Sequence, residues 1–363
     1  MEKKIILTRK IQLLLNSDDA VFRKACFAKL FEWQRICFRS ANYIFTHLYV
    51  QEQLRELIYI TDEVKVKLAD IKKDSDGILT TSKENTTYQL LSHYFKGEIP
   101  MNMICCLNHT LVTGYNKERK AYWTGERSLR NYKRDIPLPF LPRNIKLLPM
   151  DKGKDFTFTL FKIPFRTYLG KDRSDKSILL KRAAGGSLTL KGCSLKLEKG
   201  KIFFLAAFEM EKKAHQLNNA IIAEAALSLE FPITVKIGKA DYQIGNKEEF
   251  LHRRIALQNA RHRLQVASTF NRSGKGRKRK LKPVAAYKDH EKRYVDQKLH
   301  VYSRKLIDLC VKHQAATLLL LNQEQKEAIA KADEFLLRNW SYYGLKEKIA
   351  YKVNKAGITL ICE

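Results

Sequence analysis

Apolar positions change their spacing twice along this chain, and the changes divide it into three regions. In "SDDAVFRKACFAKLFEWQRICFRSANYIFTHLYVQEQLREL", Ser and Asp offer capping groups and apolar residues then recur every three to four positions, at Phe27, Leu30, Phe31, Ile36, Cys37, Ile44 and Leu48. That spacing predicts a long helix. Two more helices follow, separated at Gly97 and Pro100, so residues 19–130 read as one helical block. From Ile136 the period falls to two: Phe156, Phe158 and Leu160 alternate with Thr157 and Thr159, and "CSLKLEKGKIFFLAAFEM" reads as two strands around Lys199-Gly200. Residues 131–215 are therefore a β-region. The opening strand-like segment, residues 1–18, has no sheet of its own and is expected to join that barrel or sandwich across the helical insertion.

Residues 216–363 follow a third pattern. A strand near Ile221–Leu229 precedes a hairpin, Ile233–Ile237 and Tyr242–Ile244, around Gly238-Lys239. A basic helix capped by Asn246, a second long helix, the buried strand "TLLLL", the helix "YYGLKEKIAYKVNKA" and the strand "ITLIC" complete it. Three antiparallel strands and then helix and strand in alternation is the order of a ribonuclease-H-like α/β fold.

The chain has 363 residues, enough for two or three cores, and 45% of them are apolar, so folded domains are expected and not a disordered polyelectrolyte. Against that, 68 Lys and Arg face 38 Asp and Glu, a formal charge of +30, which repels itself unless a polyanion such as nucleic acid is bound. The start "MEKKIILTRK" lacks the apolar core of a signal peptide, and "IFFLAAF" and "ATLLLL" are too short to span a bilayer. Seven Cys without a C-x-x-C pair suit a reducing compartment. These features predict a cytoplasmic protein with no membrane partner.

The clearest functional stretch is the basic insertion, residues 268–286. Ser273, Gly274 and Gly276 lie among Arg272, Lys275, Arg277, Lys278, Arg279, Lys280 and Lys282, so a pliable backbone can follow phosphates while each cation releases counterions. Arg253, Arg254, Arg261 and Arg263 on the preceding basic helix extend the candidate nucleic-acid surface. The bland reading is a solvated basic loop or a localisation signal. Cys106/His109 and Cys310/His313 have C-x-x-H spacing, but without a partner pair they read as core plus surface and not as zinc ligands. Gly185-Gly186 reads as a turn, because no Lys-Ser/Thr follows. Of Trp33, Tyr43, Tyr342 and Tyr343, which could stack on bases, most are expected in the core. No cofactor or metal is expected.

The order of these regions and the wording of "PITVKIG", "SGKGRKRK" before a long helix, and "YYGLKEKIAYKVNKAGI" resemble TnpB, the transposon-encoded RNA-guided nuclease, and the miniature type V CRISPR effectors derived from it. The resemblance covers nearly the whole chain. It implies a multidomain α+β protein: a helical recognition lobe inserted in a β-barrel wedge domain, followed by a RuvC-like (ribonuclease-H-like) domain. In the family, RuvC carboxylates on the first strand, the fourth strand and a late helix hold two Mg²⁺ ions. Counting back from Pro232 in "LEFPITV" puts Ala226 at the first position, and Asn322 after "ATLLLL" at the second. The third would follow a zinc ribbon that begins just beyond Ile361, so the domain is expected to be C-terminally truncated. The rival reading makes Glu224 and Glu324 substitute ligands.

The resemblance thus implies a nuclease-inactive RNA-guided DNA-binding protein whose partners are a guide RNA and target double-stranded DNA, with a homodimer on one guide as a further expectation. "FRSANYIFTHLYVQEQ", "NTTYQLLSHYFKGEIPMNM" and "LLRNWSYYGLKEKIAYK" look most like nuclease-dead homologues associated with extracytoplasmic-function sigma factors, which implies transcription control through a sigma factor and RNA polymerase. The alternatives are a roadblock repressor, an active RuvC-type endonuclease and a plain RNA-binding protein.

Overall fold

The computed structural model describes residues 4–57, 64–66, 79–81, 86–150, 154–170, 174–212, 215–228, 231–270, 274–323 and 341–363, with 325, 328 and 332 singly. They form two compact units, Ile6–Met210 and Glu211–Glu363, the latter joined by the chain start as far as Ile5.

In the first unit β1 (Lys4–Leu15) leads into the long helix α1 (Ala20–Leu57), the small pair β2 (Val64–Val66) and β3 (Leu79–Thr81), and the helices α2 (Thr86–Phe95) and α3 (Met101–Trp123). Then come β4 (Leu138–Phe140), β5 (Leu148–Pro149), β6 (Phe156–Leu160), β7 (Ile163–Tyr168), helix α4 (Lys176–Ala184), β8 (Thr189–Glu198) and β9 (Lys201–Glu211). Seven strands make one sheet in the order β4-β8-β9-β1-β7-β6-β5. β1 is antiparallel to β7, with Leu13 opposite Thr167. Alternation puts Leu7, Ile11 and Leu13 of β1, and Ile202, Phe204, Ala206 and Phe208 of β9, on the buried side. The β8–β9 turn is Lys199-Gly200, both at positive φ (53° and 73°), which suits the right-handed twist of a tight hairpin.

The sheet differs from the expected barrel. β4 and β5 are edges, and among the described residues the sheet does not close. Both edge strands are short and carry a proline, Pro139 and Pro149, which removes a ladder donor where a further strand would pair. Helix α4 stands in a region that reads as all β. Its two buried leucines, Leu179 and Leu180, lie among lysines and arginines that mask the helical period.

The helices share the sheet's core and have none of their own. Trp33 packs edge-on to Phe161 of the β6–β7 turn, with centroids 6.1 Å apart, and its indole N–H donates to the Glu98 carbonyl (3.2 Å). Gln34 donates to the Ile136 carbonyl at 3.2 Å, while Phe45 meets the rings of Tyr115, Tyr122 and Tyr132. Burying rings of this size supplies much of the favourable free energy of such a core.

The second unit is built on β10 (Asn218–Ala226), β11 (Ile233–Ile237), β12 (Ala240–Ile244), helices α5 (Lys247–Thr269) and α6 (Gly274–Lys312), β13 (Ala315–Leu320), helix α7 (Tyr342–Ala356) and β14 (Thr359–Cys362). Its sheet runs β12-β11-β10-β13-β14. β10, β11 and β12 pair antiparallel, and β13 and β14 run parallel to β10 through helical crossovers. One face buries Ala223, Ala225, Val235, Ile237, Leu318 and Leu320 against Leu306, Cys310, Ile349 and Val353 of α6 and α7. The other face carries Glu224, Ala226, Thr234 and Leu319, with Ile222 and Ile361 half exposed. Gly245 sits at φ +84°, where a Cβ would lie 2.7 Å from Pro232 and 2.8 Å from Tyr302, so only glycine fits that corner.

Candidate functional site

Two features of the second unit bear on function: the C-terminal ends of the parallel strands, and the α5–α6 hairpin. β10 and β13 run side by side with Glu224 beside Leu319 and Ala225 beside Leu320. The Leu321 amide donates to the Ala225 carbonyl at 3.0 Å, which sets Ala226 next to the turn that begins at Asn322. β14 closes the other side, its Glu363 amide donating to the Leu320 carbonyl at 3.0 Å. Ala226 and Asn322, ninety-six positions apart by number, therefore lie at the ends of neighbouring strands, where an open α/β sheet places its chemistry.

Neither residue offers a carboxylate. Ala226 ends in a methyl group, and Asn322 has a left-handed backbone, φ +53°, which asparagine tolerates better than glutamate does. Glu224 lies on the same open face two residues earlier, flanked in register by Lys236 and Leu319. Glu324 lies outside the described residues. Among the described residues no group of three His, Cys, Asp or Glu could hold a metal ion. The next residue, Gln323, is buried and structural: it donates to the Leu321 carbonyl (2.7 Å) and accepts from the Tyr342 hydroxyl, tying the end of β13 to α7. Sequence reasoning missed this bolt, and Tyr342 is accordingly a core residue.

The C-x-x-H pairs dissolve on inspection. Burial pushes the Cys310 thiol up to about 12, and His313 bonds the Tyr242 hydroxyl at 2.7 Å. His109 faces solvent one turn from a half-buried Cys106.

Asn246 begins α5, its side-chain oxygen accepting from the Glu248 amide at 2.7 Å. α5 and α6 run antiparallel, and no Asp or Glu occurs between Glu249 and Asp289. The candidate cations of this hairpin divide by helix phase. Arg254 and Arg261 turn inward to Glu291 of α6, at 3.2 and 3.0 Å, and Gln258 donates to the same carboxylate at 2.7 Å. These two arginines hold the hairpin together and do not offer themselves to a phosphate. Arg253 lies over the Tyr294 ring, 5.7 Å from its centroid, in a groove rimmed by Glu248, Glu249 and Lys298. Arg263, Lys275, Arg279 and Lys282 are exposed and enter no ion pair among the described residues. Arg272 lies outside the described residues, and of Arg277, Lys278 and Lys280 the backbone alone is described.

The basic insertion is not a loop. From Gly274 it forms the first turns of α6, and Pro283 sits inside that helix, removing the bond to the Arg279 carbonyl and favouring a bend. A run of Lys and Arg without apolar spacing has no helical signature, which is why its sequence reads as loop.

No protein-family model matches the chain. Among curated proteins it is 25% identical over 259 residues to the CRISPR-associated endodeoxyribonuclease Cas12f1 of Sulfoacidibacillus thermotolerans, covering 67% of this chain and 61% of that protein. It is 34% identical over 111 residues to Cas12f1 of Syntrophomonas palmitatica, which is 30% of this chain and 21% of that one. The chain thus spans less than two thirds of the length of these relatives. A cryo-EM structure of a Cas12f1–sgRNA–target DNA complex superposes with a TM-score of 0.67 at 14% identity, covering 99% of this chain and 89% of that one. The chain is thus similar in sequence to Cas12f1 proteins and shares the Cas12f-like α+β fold of the superposed structure.

Proposed function

We propose that the protein is a nuclease-inactive, RNA-guided DNA-binding protein that occupies guide-specified sites to control transcription. The observation that supports the reading is that neither Ala226, the last residue of β10, nor Asn322, just past the end of the neighbouring β13, offers a carboxylate, in a chain similar to proteins named endodeoxyribonucleases. Where the family resemblance calls for two carboxylates, a methyl group and an amide cannot bind a hard divalent ion. Binding is supported by the net charge of +30 and the outward cations of the α5–α6 hairpin. The partners are a structured guide RNA and a matched DNA duplex, by analogy with the complex named in the superposed structure. Base pairing supplies sequence recognition, while the protein supplies charge and shape.

The mode of control is activation: the protein recruits a sigma factor and RNA polymerase, a reading supported by the resemblance of "FRSANYIFTHLYVQEQ" and "LLRNWSYYGLKEKIAYK" to sigma-associated homologues. A second copy on the same guide is compatible with this arrangement. The decisive experiment isolates the native complex, sequences the RNA that copurifies and builds a matched target. Retention on matched but not scrambled DNA, without Mg²⁺-dependent cutting and with a rising reporter, supports the reading. A falling reporter with no polymerase recovered makes the protein a roadblock repressor, and RNA without any matched DNA retention makes it a plain RNA-binding protein. No helix among the described residues is long and apolar enough to cross a membrane.

A further inference from the structure

The end of the α5–α6 hairpin joins two features that the folded chain leaves unsatisfied. Phe270, the residue that ends α5, is 81% exposed, and Val266 one turn before it is 46% exposed. Four residues further along, α6 starts, and every side chain described from Gly274 to Pro283 faces solvent. This segment has no core to hold it. Lys275 and Arg279 stand at i and i+4, a like-charge spacing that disfavours a helix, and neither they nor Lys282 finds a carboxylate among the described residues. The same hairpin behaves differently at its root, where Glu248 and Glu249 accompany Arg253 and Lys298. The exposed ring and the unneutralised cations therefore coincide at one end.

We propose that Phe270 is a stacking platform for an unpaired nucleotide of bound RNA, with Lys275, Arg279 and Lys282 taking the phosphates beside it. A polyanion relieves the repulsion along the first turns of α6, and a base covers a ring that water solvates poorly. A purely apolar protein surface would satisfy the ring but not the cations. RNA is favoured over DNA because a duplex hides its bases in the stack, whereas a structured RNA presents unpaired bases in loops and bulges, where aromatic side chains meet them. The proposal deepens the nucleic-acid-binding reading above and rests on it.

The test uses the full-length protein and an oligo-uridylate of about 16 nucleotides, with an oligo-thymidylate and an RNA duplex of the same length as further arms. Phe270→Ala should weaken oligo-uridylate binding about 5- to 150-fold, leave the slope of log affinity against log salt unchanged, and leave duplex binding unchanged. Phe270→Trp should retain affinity, its fluorescence quenched by the single strand and not by the duplex. Lys275→Ala and Arg279→Ala should each lower the salt slope by about one unit. With an 81% exposed side chain, neither Phe270 variant should alter the unfolding midpoint. If the unmodified protein binds none of the probes, the functional reading fails along with the proposal. Normal binding by Phe270→Ala overturns the proposal alone, as does an equal loss on duplex. A loss confined to oligo-thymidylate moves the site to a DNA strand, and a shift from dimer to monomer without loss of RNA affinity gives the ring to a second copy; either outcome overturns the assignment to RNA.

Discussion

Arg261 of α5 and Glu291 of α6 are joined across the hairpin by a 3.0 Å ion pair, with the carboxylate side chain only 11% exposed. Arg254, 12% exposed, reaches the other oxygen at 3.2 Å. One acid thus pairs with two arginines that count toward the basic face by sequence alone. Replacing Glu291 with Gln leaves two guanidinium groups desolvated and short of charge, and should lower unfolding free energy by about 3 kcal/mol. Arg254→Ala should likewise cost stability while leaving the salt slope of RNA binding intact. Arg279→Ala should do the reverse. Denaturant melts and salt titrations on the same three variants separate the roles, and a changed slope with Arg254→Ala would put that residue at the nucleic acid after all.

The guide complex should leave a matched supercoiled plasmid uncut in Mg²⁺ or Mn²⁺, because Ala226 and Asn322 provide no carboxylate at the adjoining strand ends. Nicked or linear product above that of a scrambled target, seen on an agarose gel, would revive the Glu224/Glu324 reading and sink the nuclease-inactive one.

His47 of α1 is buried, with Nε2 bonded to Gln51 at 2.8 Å and Nδ1 without a partner. Burial drives it down from 6.5 to about 4. Above pH 6.5 both folded and unfolded chains hold it neutral and it contributes nothing to pH dependence. As pH falls from 6.5 toward 4 the unfolded chain takes up a proton that the folded chain refuses, so stability declines by at most about 3 kcal/mol. Urea midpoints measured across that window should fall, and in His47→Gln they should fall less. Equal slopes in the two proteins would show that other groups carry the acid sensitivity.

Gly245→Ala should lower stability by at least about 2 kcal/mol, since it combines a left-handed backbone with a Cβ inside contact distance of Pro232 and Tyr302. Gly97→Ala, at φ +93° but with nothing within 4 Å, should cost about 1 kcal/mol. Thermal denaturation of the pair isolates the crowding; matching losses would mean that the Pro232–Tyr302 corner relaxes freely.

Much of this molecule could be read locally. The period-two run Phe156, Phe158, Leu160 and the three-to-four spacing of Leu30, Ile36 and Ile44 name their elements because side-chain direction follows backbone geometry within a few residues. Asn246 announces the start of α5 for the same reason. Net charge is a sum over residues and needs no fold, so the expectation of a polyanion partner can be formed from composition alone. The sequence similarity to Cas12f1 proteins, 25% over 259 residues for one of them, likewise needs no coordinates.

What the sequence could not decide depends on residues far apart in the chain. Whether an arginine serves the fold or faces outward turns on helix phase and on a carboxylate thirty positions away, as for Arg261 and Glu291. That the basic run becomes helix at Gly274 reflects its continuity with a packed helix downstream and no property of its own residues. Gln323 is a bolt only because α7 brings Tyr342 over it, nineteen positions later. That Ala226 and Asn322 lie at neighbouring strand ends requires β10 and β13 to pair parallel in one particular register, and register is set by which apolar faces bury together, a property of the assembled sheet and not of either strand.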